Sequence, residues 1–337
     1  MRILQMRSII LSTSYLCHKW KSIIRPQNFS FLLITFGFSI SLHSQATSLC
    51  DVDKTKNQDF TGMLFKVKKQ NETSAYIFGS LHRGYSRITE ISKPVDIALS
   101  QSKKLYFEWV EGGSTNDPQY LRDIFPTAKP DRLKSILSDE LYLRLSTYLD
   151  SLKMPADERA SMENWHPNYL MSTLLDHYPD EMNQSASLDI HLHVEGLKKK
   201  ISVAGIESSS QHWVPILSTT NEETNAMTEE SLKEISCPSC IAERQEFLLC
   251  VAEITRAGDP DQLIAMYDRF YEHRPVAKEH MNRIAISRNA GMTNNIARLL
   301  GKESTFFVSI GALHLGGKRG VLQGLRDLGY TVEKVTE

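Results

Sequence analysis

The sequence predicts a mixed α/β fold, and three observations carry that reading. First, Thr305 to Gly317 opens as an apolar, β-branched and aromatic run that glycines stop abruptly, as a buried strand entering a turn does. His314 falls just past the strand's end, a helix-like segment from Val321 to Leu328 follows, and Tyr330 to Val335 reads as a second strand. Second, an earlier stretch repeats the plan. Ser74 to Phe78 is the strand, Gly79-Ser80-Leu81-His82 the turn, and a helix runs from about Pro94 to Ser100 before Leu105 to Val110 returns as a strand bearing Glu108. Third, both histidines sit at the carboxyl end of a strand, where open α/β sheets bind ligands. With 17 Gly and 11 His in 337 residues, chance supplies about half of one G-x-x-H match. Two matches in the same structural setting point to an inexact duplication with a helical module between its halves.

The chain begins differently. Lys19, Lys21 and Arg25 precede an uncharged apolar run from Phe31 to Leu42, and Ser44-Gln45-Ala46 offers small residues for a signal peptidase. The run is short of the roughly 20 residues that span a bilayer. Residues 1–46 are therefore expected to be a signal peptide cleaved near Ala46, or an N-terminal anchor if left uncut. An exported protein, periplasmic or secreted, follows, with membrane contact only through that segment. Past it, Cys50, Cys237, Cys240 and Cys250 are disulfide candidates of undetermined pairing, suited to an oxidising compartment. The Cys237-Pro238-Ser239-Cys240 spacing also fits a redox or zinc site, although no second CxxC or spaced histidine accompanies it.

Residues 47–337 read as one domain. Met63 to Lys68 and the strand before His82 flank a polar Gln70-Asn71-Glu72 turn, a β-hairpin signature. A helical region is expected from about Pro118 to Tyr178, clearest after Ser138-Asp139-Glu140, where Leu141, Leu145, Tyr148, Leu149 and Leu152 recur at helical spacing. Leu188 to Leu197 is another helix, and Ile201 to Ile206 a strand ending at Glu207. A helical, cysteine-containing insertion is placed at about 217–260, its threonine- and glutamate-rich residues 217–236 read as a loop or lid. Val276 to Leu300 reads as one helix closed by Gly301, with Arg288 at its middle, where exposure to solvent is the default.

Charge is balanced, 39 basic against 40 acidic residues, so there is no electrostatic footprint for nucleic acid. No phosphate-binding glycine loop or dinucleotide fingerprint occurs, and Ser208-Ser209-Ser210 lacks the glycines of a nucleophile elbow. What remains is the pair His82 and His314 with Glu108 at a third strand's end. Two imidazoles and a carboxylate form a first shell for a divalent transition metal that leaves positions open for water or substrate. Glu207 closes a fourth apolar strand, where a carboxylate is rarely buried without a partner.

In this order and spacing, Tyr76 to His82, Phe107-Glu108, Leu188-Asp189, Gly205-Ile206-Glu207 with Gln211, Arg288-Asn289 and Gly311 to Gly317 resemble the TraB/PrgY/GumN family, which also contains the Tiki metalloproteases. The GumN-like bacterial branch is the most similar. The likeness runs from about residue 60 to the end, with Ser80 standing where the family usually has threonine. It implies an erythromycin esterase/ChaN-like core and a metal-dependent hydrolase of peptides or another small substrate. Manganese or cobalt would be held by His82, Glu108 and His314, with Glu207 and Arg288 supporting the catalysis. In one form of that mechanism Glu108 or Glu207 accepts a proton and Arg288 stabilises an oxyanion; in a metal-free form a histidine is the general base. The family's accessory members imply an alternative, a non-catalytic protein that binds or sequesters a peptide, a polysaccharide-related ligand or haem.

Overall fold

The computed structural model describes residues 50, 62–69, 74–110, 131–175, 178–182, 186–217, 219–302 and 304–336. The leader at 1–46, the hairpin turn at 70–72 and residues 118–130, 176 and 177 of the expected helical region lie outside the described residues.

Six strands form one mixed sheet. They are β1 (Met63–Lys68), β2 (Ala75–Ser80), β3 (Lys104–Phe107), β4 (Ser202–Gly205), β5 (Phe306–Gly311) and β6 (Thr331–Lys334), in the order β4-β3-β5-β2-β1-β6. The expected hairpin forms, β1 pairing antiparallel with β2, and β6 joins β1 at the edge. β2, β5, β3 and β4 run parallel to one another, so their carboxyl ends share one edge. The two G-x-x-H strands are direct neighbours, Gly79 opposite Ile310 and Ser80 opposite Gly311. Each G-x-x-H unit therefore hands its returning strand elsewhere: β3 pairs with β5 rather than β2, and β6 with β1 rather than β5. Every residue of β2 and of β5 is buried, as expected of central parallel strands covered on both faces.

Alternation along the strands builds a core on each face. On one face Met63, Phe65, Ile77, Phe306, Val308 and Ile310 pack with apolar residues of later helices such as Phe247, Met266, Phe270, Ile296 and Leu325. On the other, Leu64, Phe78, Leu105, Phe107 and Phe307 meet helix α1 (Lys93–Ser100) through Val95 and Leu99, and later Leu188 and Leu192. A third core joins α2 (Arg132–Ile136), α3 (Asp139–Ser151), α4 (Ala156–Met162) and α5 (Pro167–Leu174) to Leu232 and Ile235. In α3 the expected period is met, with Leu141, Leu145 and Leu149 buried and Ser138 capping by accepting from the Leu141 N–H.

The remaining helices are α6 (Leu188–Lys198), α7 (Ser209–Leu217), α8 (Asn221–Ile235), α9 (Pro238–Ala257), α10 (Pro260–Phe270), α11 (Pro275–Ile284), α12 (Asn289–Leu300) and α13 (Val321–Asp327). Two expectations are overturned here. The stretch read as a loop or lid at 217–236 is largely helix α8. Thr220 and Glu223 start it with a reciprocal capping box, and Thr228, Leu232 and Ile235 are buried along it. The single helix expected over 276–300 breaks at Ala285, and a turn of 3₁₀ helix at Ile286–Arg288 separates α11 from α12. The break turns Arg288 inward. Two disulfides form: Cys50–Cys250 spans a sequence separation of 200 residues, and Cys237–Cys240 one of 3. Among the described residues no helix is long and apolar enough to cross a membrane.

Candidate metal centre at the strand ends

Along the shared edge, β4 leads to Glu207, β3 to Glu108, β5 through a 3₁₀ turn to His314, and β2 to His82. Backbone bonds carry the pairing past the strands: the Ile206 N–H donates to Phe107 O and the Glu207 N–H to Glu108 O, at 2.8 and 2.9 Å. The two glutamates are thus held side by side, and the four strand-end residues named from the sequence gather along one edge of the sheet.

Glu108 is the hub. Its Oε1 accepts the Gly311 N–H at 2.7 Å and faces His314 Nε2 at 3.4 Å and His82 Nε2 at 3.7 Å. Its Oε2 accepts from Arg288 Nη2 at 2.7 Å. Burial alone would raise the Glu108 pKa, but the charge that His314 and His82 carry when protonated, the Arg288 guanidinium and the Gly311 N–H outweigh it. The carboxyl is held far below the usual carboxylate range and is ionised in the folded protein.

Each imidazole is fixed through its other nitrogen. His314 Nδ1 lies 2.7 Å from Asn289 Oδ1, while Asn289 Nδ2 donates to Arg319 O at 2.9 Å. The Arg319 carbonyl settles which way the amide points, so His314 must donate from Nδ1 and keep a lone pair on Nε2. Burial depresses its pKa against the pull of Glu108, with Arg288 adding to the depression, so the ring is neutral. His82 Nδ1 lies 2.8 Å from Asp189 Oδ2, and Asp189 Oδ1 accepts from Ser309 Oγ at 3.2 Å. His82 stands 66% open at the cavity mouth. Desolvation works against its proton, but the charge and hydrogen bond of Asp189, then Glu108, prevail and raise its pKa.

Arg288 is buried, not solvated as its helical context suggested. It donates from Nε to Glu207 Oε1 at 3.1 Å, from Nη2 to Glu207 Oε2, and from Nη1 to Ile284 O at 2.9 Å. Nη2 also lies 2.8 Å from His212 Nδ1. His212, on α7, escaped the sequence reading although it directly follows Gln211; Trp109 stacks on it at 5.7 Å. Asp189 and Asn289 were quoted only as parts of motifs, and the structure gives both a partner at the site.

Among the described residues one group has its donor atoms close enough together to share a cation, and the set named from the sequence is a second candidate. Donor atoms of Glu108, Glu207 and His212 lie within 4.8 Å of one another, but the Arg288 guanidinium donates to both carboxylates and lies 2.8 Å from His212 Nδ1, which also lies 3.3 Å from Glu207 Oε2. The second group is Glu108 Oε1 with the two Nε2 atoms. Here two lone pairs and a carboxylate oxygen converge without a proton fixed between them when the rings are neutral. A Cβ built on Gly311 would stand 3.0 Å from His82 Nε2 and 3.1 Å from Glu108 Oε1, so this glycine keeps the space among the donors open. Such a donor set could hold a divalent transition metal, and Asp189 and Asn289 stand behind the two rings where partners of histidine ligands stand. Gly79, the matching glycine of the first motif, serves packing instead: a Cβ there would meet Leu315 Cδ1 at 2.7 Å.

A cavity of about 800 Å³ opens over this edge, lined by His82, Glu108, Asp189 and His314 and by apolar groups including Phe107, Trp109, Phe247 and Met281. An ionic cluster at the floor of an apolar pocket is the arrangement of an enzyme-like site.

The chain belongs to the TraB/PrgY/gumN family, which it matches over residues 63–334. Among curated proteins it is similar to Metalloprotease TIKI1 of Danio rerio, 22% identical over 329 residues, covering 83% of this chain and 64% of the relative. It is likewise similar to Metalloprotease TIKI2 of Xenopus tropicalis, 23% identical over 340 residues, covering 85% of this chain and 62% of the relative. The chain thus spans less than two thirds of the length of these relatives. No solved structure matches it.

Proposed function

We propose that the chain is a metal-dependent hydrolase of the Tiki type acting on peptides outside the cytoplasm, with His82, Glu108 and His314 holding a divalent ion, manganese or cobalt. The observation that carries this reading is the convergence of two anchored Nε2 atoms on Glu108 Oε1, beside the space left by Gly311. A divalent ion in such a site supplies Lewis-acid polarisation of a carbonyl and acidifies water near neutral pH.

The protein's own groups divide the remaining work. Asp189 and Asn289 hold the imidazoles in the tautomer that presents Nε2. Glu108, kept ionised by its neighbours, suits the anchoring of positive charge better than proton acceptance at neutral pH. Glu207 lies outside the cavity lining and is pinned at both oxygens by Arg288, so it supports Glu108 in this reading rather than acting as base. Arg288 is likewise engaged with its own partners and acts as the clamp of the two carboxylates, not as an oxyanion donor. Apolar walls favour a peptide segment with hydrophobic side chains. Two disulfides and the apolar leader support export. An erythromycin esterase/ChaN-like kinship of the sheet belongs to the same proposal.

One observation favours a second, metal-free reading. The 2.8 Å bond between His82 and Asp189 at the cavity mouth is the geometry of an oriented general base. Peptide-library cleavage separates the readings. Chelator-treated protein should lose cleavage and regain it with Mn²⁺ or Co²⁺, and His314→Ala should not be rescued. Cleavage that survives chelation supports the metal-free base. Absence of cleavage under every condition, with ligand retained by the cavity, supports the sequestering alternative.

A further inference from the structure

The two disulfides differ in everything that governs thiol exchange. Cys50 and Cys250 are 5% and 0% exposed and lie within the main core. Their bond joins residues 200 apart, so it removes a large share of the unfolded chain's freedom. Cys237 and Cys240 are only half-buried, and Pro238 and Ser239 between them are exposed. Their bond closes a separation of 3 residues, where little chain entropy is at stake. Nor does the start of α9 depend on it: proline stands in the first turn, and the Ile241 N–H donates to Cys237 O at 3.0 Å. A staple with so little to hold calls for another explanation.

We propose that Cys237–Cys240 is a redox-active pair that exchanges with external thiols and disulfides, while Cys50–Cys250 is a permanent structural bond. The surroundings of Cys237 suit it to be the exchanging sulfur. Its Sγ accepts the Cys240 N–H at 3.2 Å and lies 3.3 Å from Ser239 Oγ, two donors already aimed at a future thiolate. The N-terminus of a helix of 20 residues stabilises the same charge. In reduction, an incoming thiolate attacks Cys237 Sγ, the S–S bond breaks, and Cys240 leaves as a thiolate that takes a proton from water. A second thiolate then attacks the external sulfur of the mixed disulfide and frees Cys237. The co-reactants are a low-molecular-mass thiol or a protein dithiol, which is oxidised to its disulfide as the pair is reduced. Run backwards, the same steps let the dithiol reduce a partner's disulfide. This inference is independent of the hydrolase reading.

The test uses the full mature chain, equilibrated in a series of reduced and oxidised glutathione buffers, quenched with a maleimide and mapped by mass spectrometry. The pair at Cys237 and Cys240 should open at a glutathione ratio where Cys50 and Cys250 remain unlabelled, the midpoints separated by at least about tenfold in that ratio. A Cys240→Ser form exposed to oxidised glutathione should carry glutathione on Cys237. Two pairs that open together, or both stay closed throughout, overturn the proposal. So does folded Cys240→Ser protein whose Cys237 stays unmodified.

Discussion

The two G-x-x-H units share a motif, a strand position and a common carboxylate, yet the fold makes them chemically unlike. His314 is buried at 6% side-chain exposure, anchored by a neutral amide and held neutral. His82 is 66% exposed, anchored by a carboxylate and pushed towards protonation. The glycines diverge as well, Gly311 keeping room among the donors and Gly79 admitting Leu315. The repeated motif therefore supplies two nitrogens at one edge, and the partner behind each ring decides what that nitrogen does. An asymmetric pair of this kind has one permanent lone pair in the floor and one adjustable group at the mouth.

The strongest way to break the comparison is to remove what the two rings share. Glu108→Ala should lower hydrolysis by about 10³-fold or more, and should cost about 3 to 5 kcal/mol by denaturant unfolding because it leaves buried Arg288 under-compensated. The glycines come next. Gly311→Ala should fill the donor space and reduce metal content and hydrolysis by about 10²-fold, with unfolding stability changed by less than about 1 kcal/mol. Gly79→Ala should do the reverse, costing about 1 to 3 kcal/mol through overpacking against Leu315. Equal effects from the two alanines would erase the proposed division of labour.

Changing the anchors sharpens the contrast further. Asp189→Asn gives His82 the kind of partner His314 has, and should weaken metal affinity by about 10- to 100-fold with the fold intact, read by competition with a chromophoric chelator. The last test lies away from the site. His166 caps α5 by accepting the Asn168 N–H at 3.3 Å, and burial, aided by Arg132, lowers its pKa to about 4. Its folded pKa lies below its unfolded value of 6.5, so the unfolded chain binds the extra proton more readily. Its stabilising contribution is full above pH about 6.5 and is lost as pH falls through about 4. Thermal melts across that window should flatten in His166→Asn.

Much of the site was legible because its residues interrupt apolar strands. His82, Glu108, Glu207 and His314 each end a run that otherwise reads as core, and that contrast survives without any knowledge of the fold. What could not be read was strand order: nothing local to 74–110 or 305–335 reveals that β5 inserts between β2 and β3. Arg288 was misjudged because apolar periodicity runs unbroken across Ala285, where the chain turns into 3₁₀ helix and swings the guanidinium between two carboxylates. Helix α8 was missed by weighing its polar composition over the Thr220-x-x-Glu223 capping signal that was present. His212 carried no pattern of its own; only the packing of α7 against Trp109 brings it to Arg288.

The most direct measurement is a Co²⁺ titration followed by visible absorption, comparing the parent chain with His314→Ala and His212→Ala. One ion per chain is expected, with absorption from nitrogen ligands that His314→Ala abolishes and His212→Ala keeps. Binding that survives in His314→Ala and vanishes in His212→Ala would move the ion to the Glu207 side of Glu108 and contradict the central claim.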